Sequence, residues 1–275
     1  MTLSYLPAGR RGFVPRPCGF GARLLGVDPV AARTDPADAI RATRQERDLL
    51  RGDLTLVGAD GTLLPEALGC GLAQTASGGW RVATAADTDP NEWDLLELGD
   101  AEDHPALAAA LAVVRALTRE GAVGVLLTGP VTLAGHIGGS EACLGSVDTD
   151  AGLIDACAMV VCDAGKAILD AGGHVVLEER RAPEAAEVAL CSPLLNLLAH
   201  YRRPALAFVH DDGAGAFADG HEAIGATASG AAVPDWGGPW NPPAAQPVFA
   251  PRVAAGAVPE RVQELLRDLH ATAAA

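Results

Sequence analysis

Apolar residues in this chain gather into short unbroken runs instead of alternating with polar ones. The runs LTLVGAD (54–60), VGVLLTGP (123–130), HVVLEE (174–179) and ALAFV (205–209) are short and bounded by turn-forming or charged residues. Each predicts a buried strand. Longer helix-forming stretches lie between them, with marked starts. Asp35 before Pro36 caps a helix over 37–50, Asp103-His104-Pro105 opens one through ALAAALAVVRALTRE, and Ser192-Pro193 opens LLNLLAHY. Gly121 closes the second of these, and a helix over 154–169 ends at Ala171-Gly172-Gly173.

Strands that are apolar throughout belong to a parallel sheet covered on both faces, and the steady alternation with helices predicts the α/β class. A (β/α) barrel and a doubly wound open sheet both satisfy it, and both bind ligands beyond the carboxyl ends of their strands. Those ends read Asp60, Gly129-Pro130, Glu178-Glu179 and His210-Asp211-Asp212. Any one of these acids caps a turn as readily as it meets a ligand. Their convergence on one face makes Asp60, Glu178, His210, Asp211 and Asp212 candidate site residues.

Composition sets the scale. With 275 residues, 49% of them hydrophobic, the chain can bury the core of a single domain over 1–275. Its formal net charge of −15 argues against nucleic acid, which needs a basic face. No apolar run reaches membrane-spanning length, and Met1 is followed by Thr2-Leu3-Ser4-Tyr5 rather than a basic segment and an apolar core. A cytoplasmic protein with no membrane partner is expected. Six cysteines without a C-x-x-C pair suggest small buried hydrophobes rather than disulfides or a zinc ribbon.

Several motifs fail. Glycines 19, 21 and 26 depart from G-x-G-x-x-G spacing, and no strand is expected ahead of them. There is no phosphate-loop G-x-x-x-x-G-K-[ST], no G-x-S-x-G and no H-E-x-x-H. His104, His174 and His200 read as helix-start, strand-start and helix-surface residues. Trp80 and Trp93 read as packing of an excursion from the sheet.

Four segments in order resemble the uroporphyrinogen decarboxylase superfamily, which includes corrinoid-linked methyltransferases. They are GADGTLLPEALGCG (58–71), LLTGPVTLAGHIGGS (126–140), ILDAGGHVVLEE (168–179) and RRPALAFVHDDG (202–213), with a weaker echo at VPERVQELLRDL. The resemblance implies a TIM-type (β/α)8 barrel, shortened or incomplete in its C-terminal half. Between His210 and Pro259 there is chain for one further strand, EAIGATA, and a Gly/Pro/Trp-rich loop over 230–250. The first strand is expected within 12–25. The barrel is then incomplete in one chain or closed by a partner subunit or a second copy.

The resemblance also assigns roles. Asp60 falls on the strand-end aspartate that contacts substrate pyrrole nitrogens in the decarboxylases, and His136 takes a tyrosine position. The decarboxylases' N-terminal arginine motif has no match at Arg10-Arg11, and their C-terminal histidine falls near Pro251. The opening RRGFVPRPCGFGARLLG is closer to the methyltransferase branch. That branch implies zinc on sulfur ligands; here His210 is kept, Asp212 replaces the first cysteine, and Arg252 lies near the place of the last. His210 and Asp212 are left with capping, proton transfer or a harder divalent metal, joined by Glu178 or Asp60.

The leading expectation is an enzyme acting on a small molecule by methyl (one-carbon) transfer or demethylation, with a corrinoid or folate methyl donor. Asp60, His136 and His210 would be catalytic, and Glu178, Asp211 and Asp212 would bind substrate. A histidine of near-neutral pKa suits proton transfer. The alternatives are a decarboxylase (lyase) of a carboxylated substrate and a non-catalytic binding or assembly protein.

Overall fold

Among the described residues six strands take part in parallel ladders, and chain order explains most of their neighbours. The computed structural model describes residues 13–75, 78–139, 151–180, 189–203, 206–209, 228–229, 231–232, 248–254, 259–260 and 262–263. The first strand, β1 (Phe13–Cys18), leads through Gly19 into α1 (Phe20–Leu25), α2 (Pro29–Thr34) and α3 (Pro36–Leu50). Then come β2 (Thr55–Val57), α4 (Leu63–Ala67) and a two-stranded excursion of β3 (Gly71–Gln74) and β4 (Trp80–Thr84). Helix α5 (Pro105–Leu117), β5 (Val123–Thr128), α6 (Pro130–Ile137), α7 (Ala151–Asp170) and β6 (His174–Glu179) follow. The last elements are α8 (Ser192–His200), β7 (Leu206–Val209), β8 (Ala228–Ser229), β9 (Ala231–Ala232) and β10 (Val248–Ala254).

Strands β2, β5, β6 and β7 form consecutive parallel ladders, with β9 antiparallel on the far edge. β5 and β6 are buried at every residue, as continuous apolar strands between helical layers must be. Their core continues into α5 and α7, where Leu107, Leu111, Val114, Cys157, Val161 and Ile168 are buried. β1 pairs in parallel with β10, which carries β8 on its other edge. Among the described residues no ladder joins β1 to β2, and the strands form a partial parallel sheet with helices, in separate ladders. Pro15 and Pro17 occupy alternate positions and remove two donors from one edge of β1.

Asp35 caps α3 as expected, accepting from the amides of Ala37 and Asp38, and Asp28 caps α2 in the same way through Ala31. Three expectations are corrected. A strand does precede glycines 19, 21 and 26: it is β1, whose prolines and arginine hide it from an apolar-run reading. Gly19 is the left-handed hinge into α1, and a Cβ on Gly21 would meet Ala42 O of α3 at 2.2 Å, so Gly21 serves helix packing. The run over 54–60 is strand only at Thr55–Val57, because Gly58 turns the chain at φ +67°, and Gly129-Pro130 starts α6 rather than ending β5. Of EAIGATA (222–228) only Ala228 is described, in β8. The expected loop over 230–250 contains β9 and the start of β10 at its ends, and the rest lies outside the described residues.

Cys18, Cys70, Cys157 and Cys191 are buried. No helix among the described residues is long and apolar enough to cross a membrane.

Candidate functional site

The middle of β1 and the carboxyl ends of β2, β5 and β6 are tied together by polar side chains. Arg16, 1% exposed in the middle of β1, donates from Nη2 to Glu178 Oε1 on β6 at 2.6 Å and to Ala59 O, just past β2, at 3.1 Å. Thr128, the last residue of β5, donates its hydroxyl to Gly61 O. Gly61 adopts φ +73°, and a Cβ there would come within 2.3 Å of Glu178 Oε2. Only glycine lets the 58–61 turn lie this close to that carboxylate.

Asp60 sits in this turn with its side chain 11% exposed. Its Oδ1 accepts from the Thr62 amide at 3.2 Å and the Thr62 hydroxyl at 2.8 Å, and Oδ2 faces Arg33 Nη1 at 3.5 Å. Arg33, in the last turn of α2, has its other nitrogens on α4: Nε donates to Glu66 Oε2 at 2.8 Å and Nη2 lies 2.7 Å from it. The guanidinium carbon stands 5.8 Å from the ring centre of Trp80 on β4.

The two acids ending β6 separate by the period-two alternation of a strand. Glu178 meets Arg16, whereas Glu179, 0% exposed, turns to α6. Glu179 accepts from the amides of Val131 at 3.1 Å and Thr132 at 2.9 Å, and from the Thr132 hydroxyl at 2.5 Å. A buried carboxylate thus satisfies the open N-terminus of α6. Gly129 allows it, since a Cβ there would lie 2.3 Å from Glu179 Oε1.

His136 lies in the last turn of α6, and its carbonyl accepts from the Cys70 thiol. Burial, and secondarily the Arg180 charge, push its pKa down to about 4 against the opposing pull of Glu178. It is neutral at pH 7, below the near-neutral value expected of a proton donor.

Of the expected site residues, Asp60 and Glu178 are brought to one mouth, and His136 is near enough to feel the Glu178 charge. His210, Asp211 and Asp212 lie outside the described residues. Arg16 and Arg33 were missed by sequence reasoning. An arginine inside FVPRPC is a signal in retrospect, because a cation within an otherwise apolar strand requires a buried partner. Among the described residues no three His, Cys, Asp or Glu side chains gather as a metal site. Asp60 and Glu178, the further oxygen ligands considered for a divalent ion, each face a guanidinium, which opposes a dication, so these two residues do not fit that role.

Residues 15–179 match the family model described as uroporphyrinogen decarboxylase (URO-D). A solved structure titled as a methyltransferase from Methanosarcina mazei superposes with a TM-score of 0.58 over 76% of this chain and 68% of that one, at 14% identity. At that identity the likeness is one of fold. No curated protein matches the chain.

Proposed function

Because the chain belongs to the uroporphyrinogen decarboxylase family, we propose that it is an enzyme acting on a small molecule by methyl transfer or demethylation, on a (β/α)8 barrel shortened in its C-terminal half. The observation that carries this reading is the constellation at the strand ends: Asp60 on the family's strand-end aspartate, with Glu178 beside it and each carboxylate held by an arginine. Polar groups fixed before a ligand arrives spend little free energy on reorganisation. The methyltransferase neighbour adds fold-level support only.

In this reading Asp60 orients the substrate through Oδ2, the oxygen not held by Thr62. His136, neutral at pH 7, takes a hydrogen bond from the methyl acceptor, its burial-lowered pKa making it only a weak base for the proton that acceptor must lose. His210 is the second acid–base group, and Asp211 and Asp212 complete the polar rim. A methyl group leaving a corrinoid or folate donor moves without its bonding electrons, so the acceptor supplies the electron pair and releases a proton.

The test is loss of the methyl group from methylcobalamin or methyltetrahydrofolate, in the presence of candidate thiol and amine acceptors, by the purified protein. Loss that disappears in Asp60→Asn supports the reading. Undiminished activity in Asp60→Asn removes Asp60 from the site. Carbon dioxide release from a carboxylated porphyrinogen would replace methyl transfer with decarboxylation.

A further inference from the structure

Arg33 was singled out by no motif, yet its surroundings are built with care. Four separate elements meet at its side chain, which is only 8% exposed. Helix α2 supplies the residue, α4 supplies Glu66, the excursion supplies the Trp80 ring, and the turn after β2 supplies Asp60. The contacts are unequal. Glu66 Oε2 is within 2.8 Å of two guanidinium nitrogens, whereas Asp60 Oδ2 is 3.5 Å from the third. Glu66 and Trp80 therefore hold the guanidinium in place, and Nη1 is left directed at Asp60. Asp60 is in turn divided: Oδ1 is engaged by Thr62, and among the described residues Oδ2 makes this one long contact.

We propose that Arg33 is the positioning residue of Asp60, its guanidinium clamped by Glu66 and Trp80 so that Nη1 fixes the orientation of Oδ2 toward the substrate. This rests on the reading that Asp60 meets substrate. The geometry has a consequence for the excursion: because Trp80 lies on β4, the placement of the β3–β4 hairpin is transmitted to Asp60 through one planar group. Lysine can reproduce this only in part, through its charge, since an ammonium has neither the fork that spans Glu66 and Asp60 nor the flat face that stacks on indole.

The experiment compares wild type with Arg33→Met, Arg33→Lys and Glu66→Gln in the methylcobalamin demethylation assay. In parallel, the Asp60 carboxylate carbon resonance is recorded at pH 7 for the same proteins. The expected result is a kcat lower by on the order of a hundredfold in Arg33→Met, a KM changed by less than about threefold, and partial rescue by Arg33→Lys. The Asp60 resonance moves in Arg33→Met and in Glu66→Gln, and returns part of the way in Arg33→Lys. Wild-type kcat in Arg33→Met, a loss confined to KM, or an Asp60 resonance unmoved by Arg33→Met would each overturn the proposal. Should Arg33→Met fail to fold, Glu66→Gln, which weakens the clamp by removing its charge while leaving the guanidinium in place, decides by the same two readouts. If the wild type does not demethylate the donor, the functional reading falls, and the Asp60 resonance alone decides the role of Arg33.

Discussion

Arg16 and Glu178, 162 residues apart in the chain, close to 2.6 Å between β1 and β6 with almost no exposure to solvent. The contact spans the place where β1 and β2 share no ladder, and the same guanidinium reaches Ala59 O on the β2 side. A buried ion pair gains little over apolar residues of equal volume, but removal of one partner leaves the other charge buried without this counter-ion. Arg16→Met or Glu178→Leu alone should therefore lower the unfolding free energy by about 3–5 kcal/mol. The double substitution should recover most of that loss, as read by urea denaturation of all four proteins.

Glu46 on α3 gives stability a dependence on pH in the neutral range. Its Oε1 accepts from the Gly21 amide at 2.7 Å, and burial pushes its pKa up to about 7 although that hydrogen bond works in the opposite direction. The folded state thus holds a proton that the unfolded chain releases at about 4.5. The stabilisation is complete below pH 4.5 and is lost as pH rises through 7. The loss is ~3 kcal/mol between those limits. Glu46→Gln keeps an acceptor for Gly21 and should flatten this part of the curve, measured as unfolding free energy from pH 4.5 to 8.

His174 acts in the other direction. It is buried at the start of β6, with Arg203 Nη1 3.2 Å from its Nε2, so Nε2 is the acceptor and the ring is neutral. Burial first, and the Arg203 charge second, take its pKa down to about 4. The unfolded chain takes up a proton near 6.5 that the folded protein refuses. Stability present above pH 6.5 is therefore lost as pH falls toward 4. His174→Gln should reduce the acid sensitivity, and Arg203→Met should raise the His174 titration midpoint followed by NMR.

The elements legible in the sequence were those whose local pattern and tertiary surroundings agree. β5 and β6 carry unbroken apolar runs, and α3 carries an aspartate before a proline; burial and capping followed from those residues alone. β1 was hidden from the apolar-run reading, and only the family resemblance placed a first strand within 12–25, because FVPRPC contains two prolines and a charge, each unfavourable to a strand until its distant partner is known. That partner, Glu178, was recognised as a site acid but not as the counter-ion of Arg16. Asp60 was visible because it ends an apolar run beside a turn glycine. Arg33 was not, since α2 is brought beside Asp60 by its packing on α3 and α5, which the sequence around Arg33 does not announce. Glu178 and Glu179 form one acidic pair in the sequence, and only the direction of the strand separates their duties.

Glu179 provides the sharpest case, because both of its oxygens are committed as acceptors. Oε1 takes the Val131 amide, and Oε2 takes the Thr132 amide and hydroxyl, while Thr132 Oγ1 itself accepts from the Arg180 amide at 2.9 Å. A glutamine has one acceptor oxygen, so Glu179→Gln must turn an amide N–H toward a donor whichever way it lies. For a side chain 0% exposed, the cost should be about 1–3 kcal/mol. Thr132→Val removes one donor to the carboxylate and leaves the Arg180 amide without this acceptor, and should cost a comparable amount. Both substitutions loosen the first turn of α6, so hydrogen exchange at the Val131 and Thr132 amides should accelerate before that of β5. Because α6 carries His136 at its other end, the His136 resonances should shift in Glu179→Gln as well. Exchange at Val131 and Thr132 unchanged from wild type would show that the α6 start does not depend on this carboxylate.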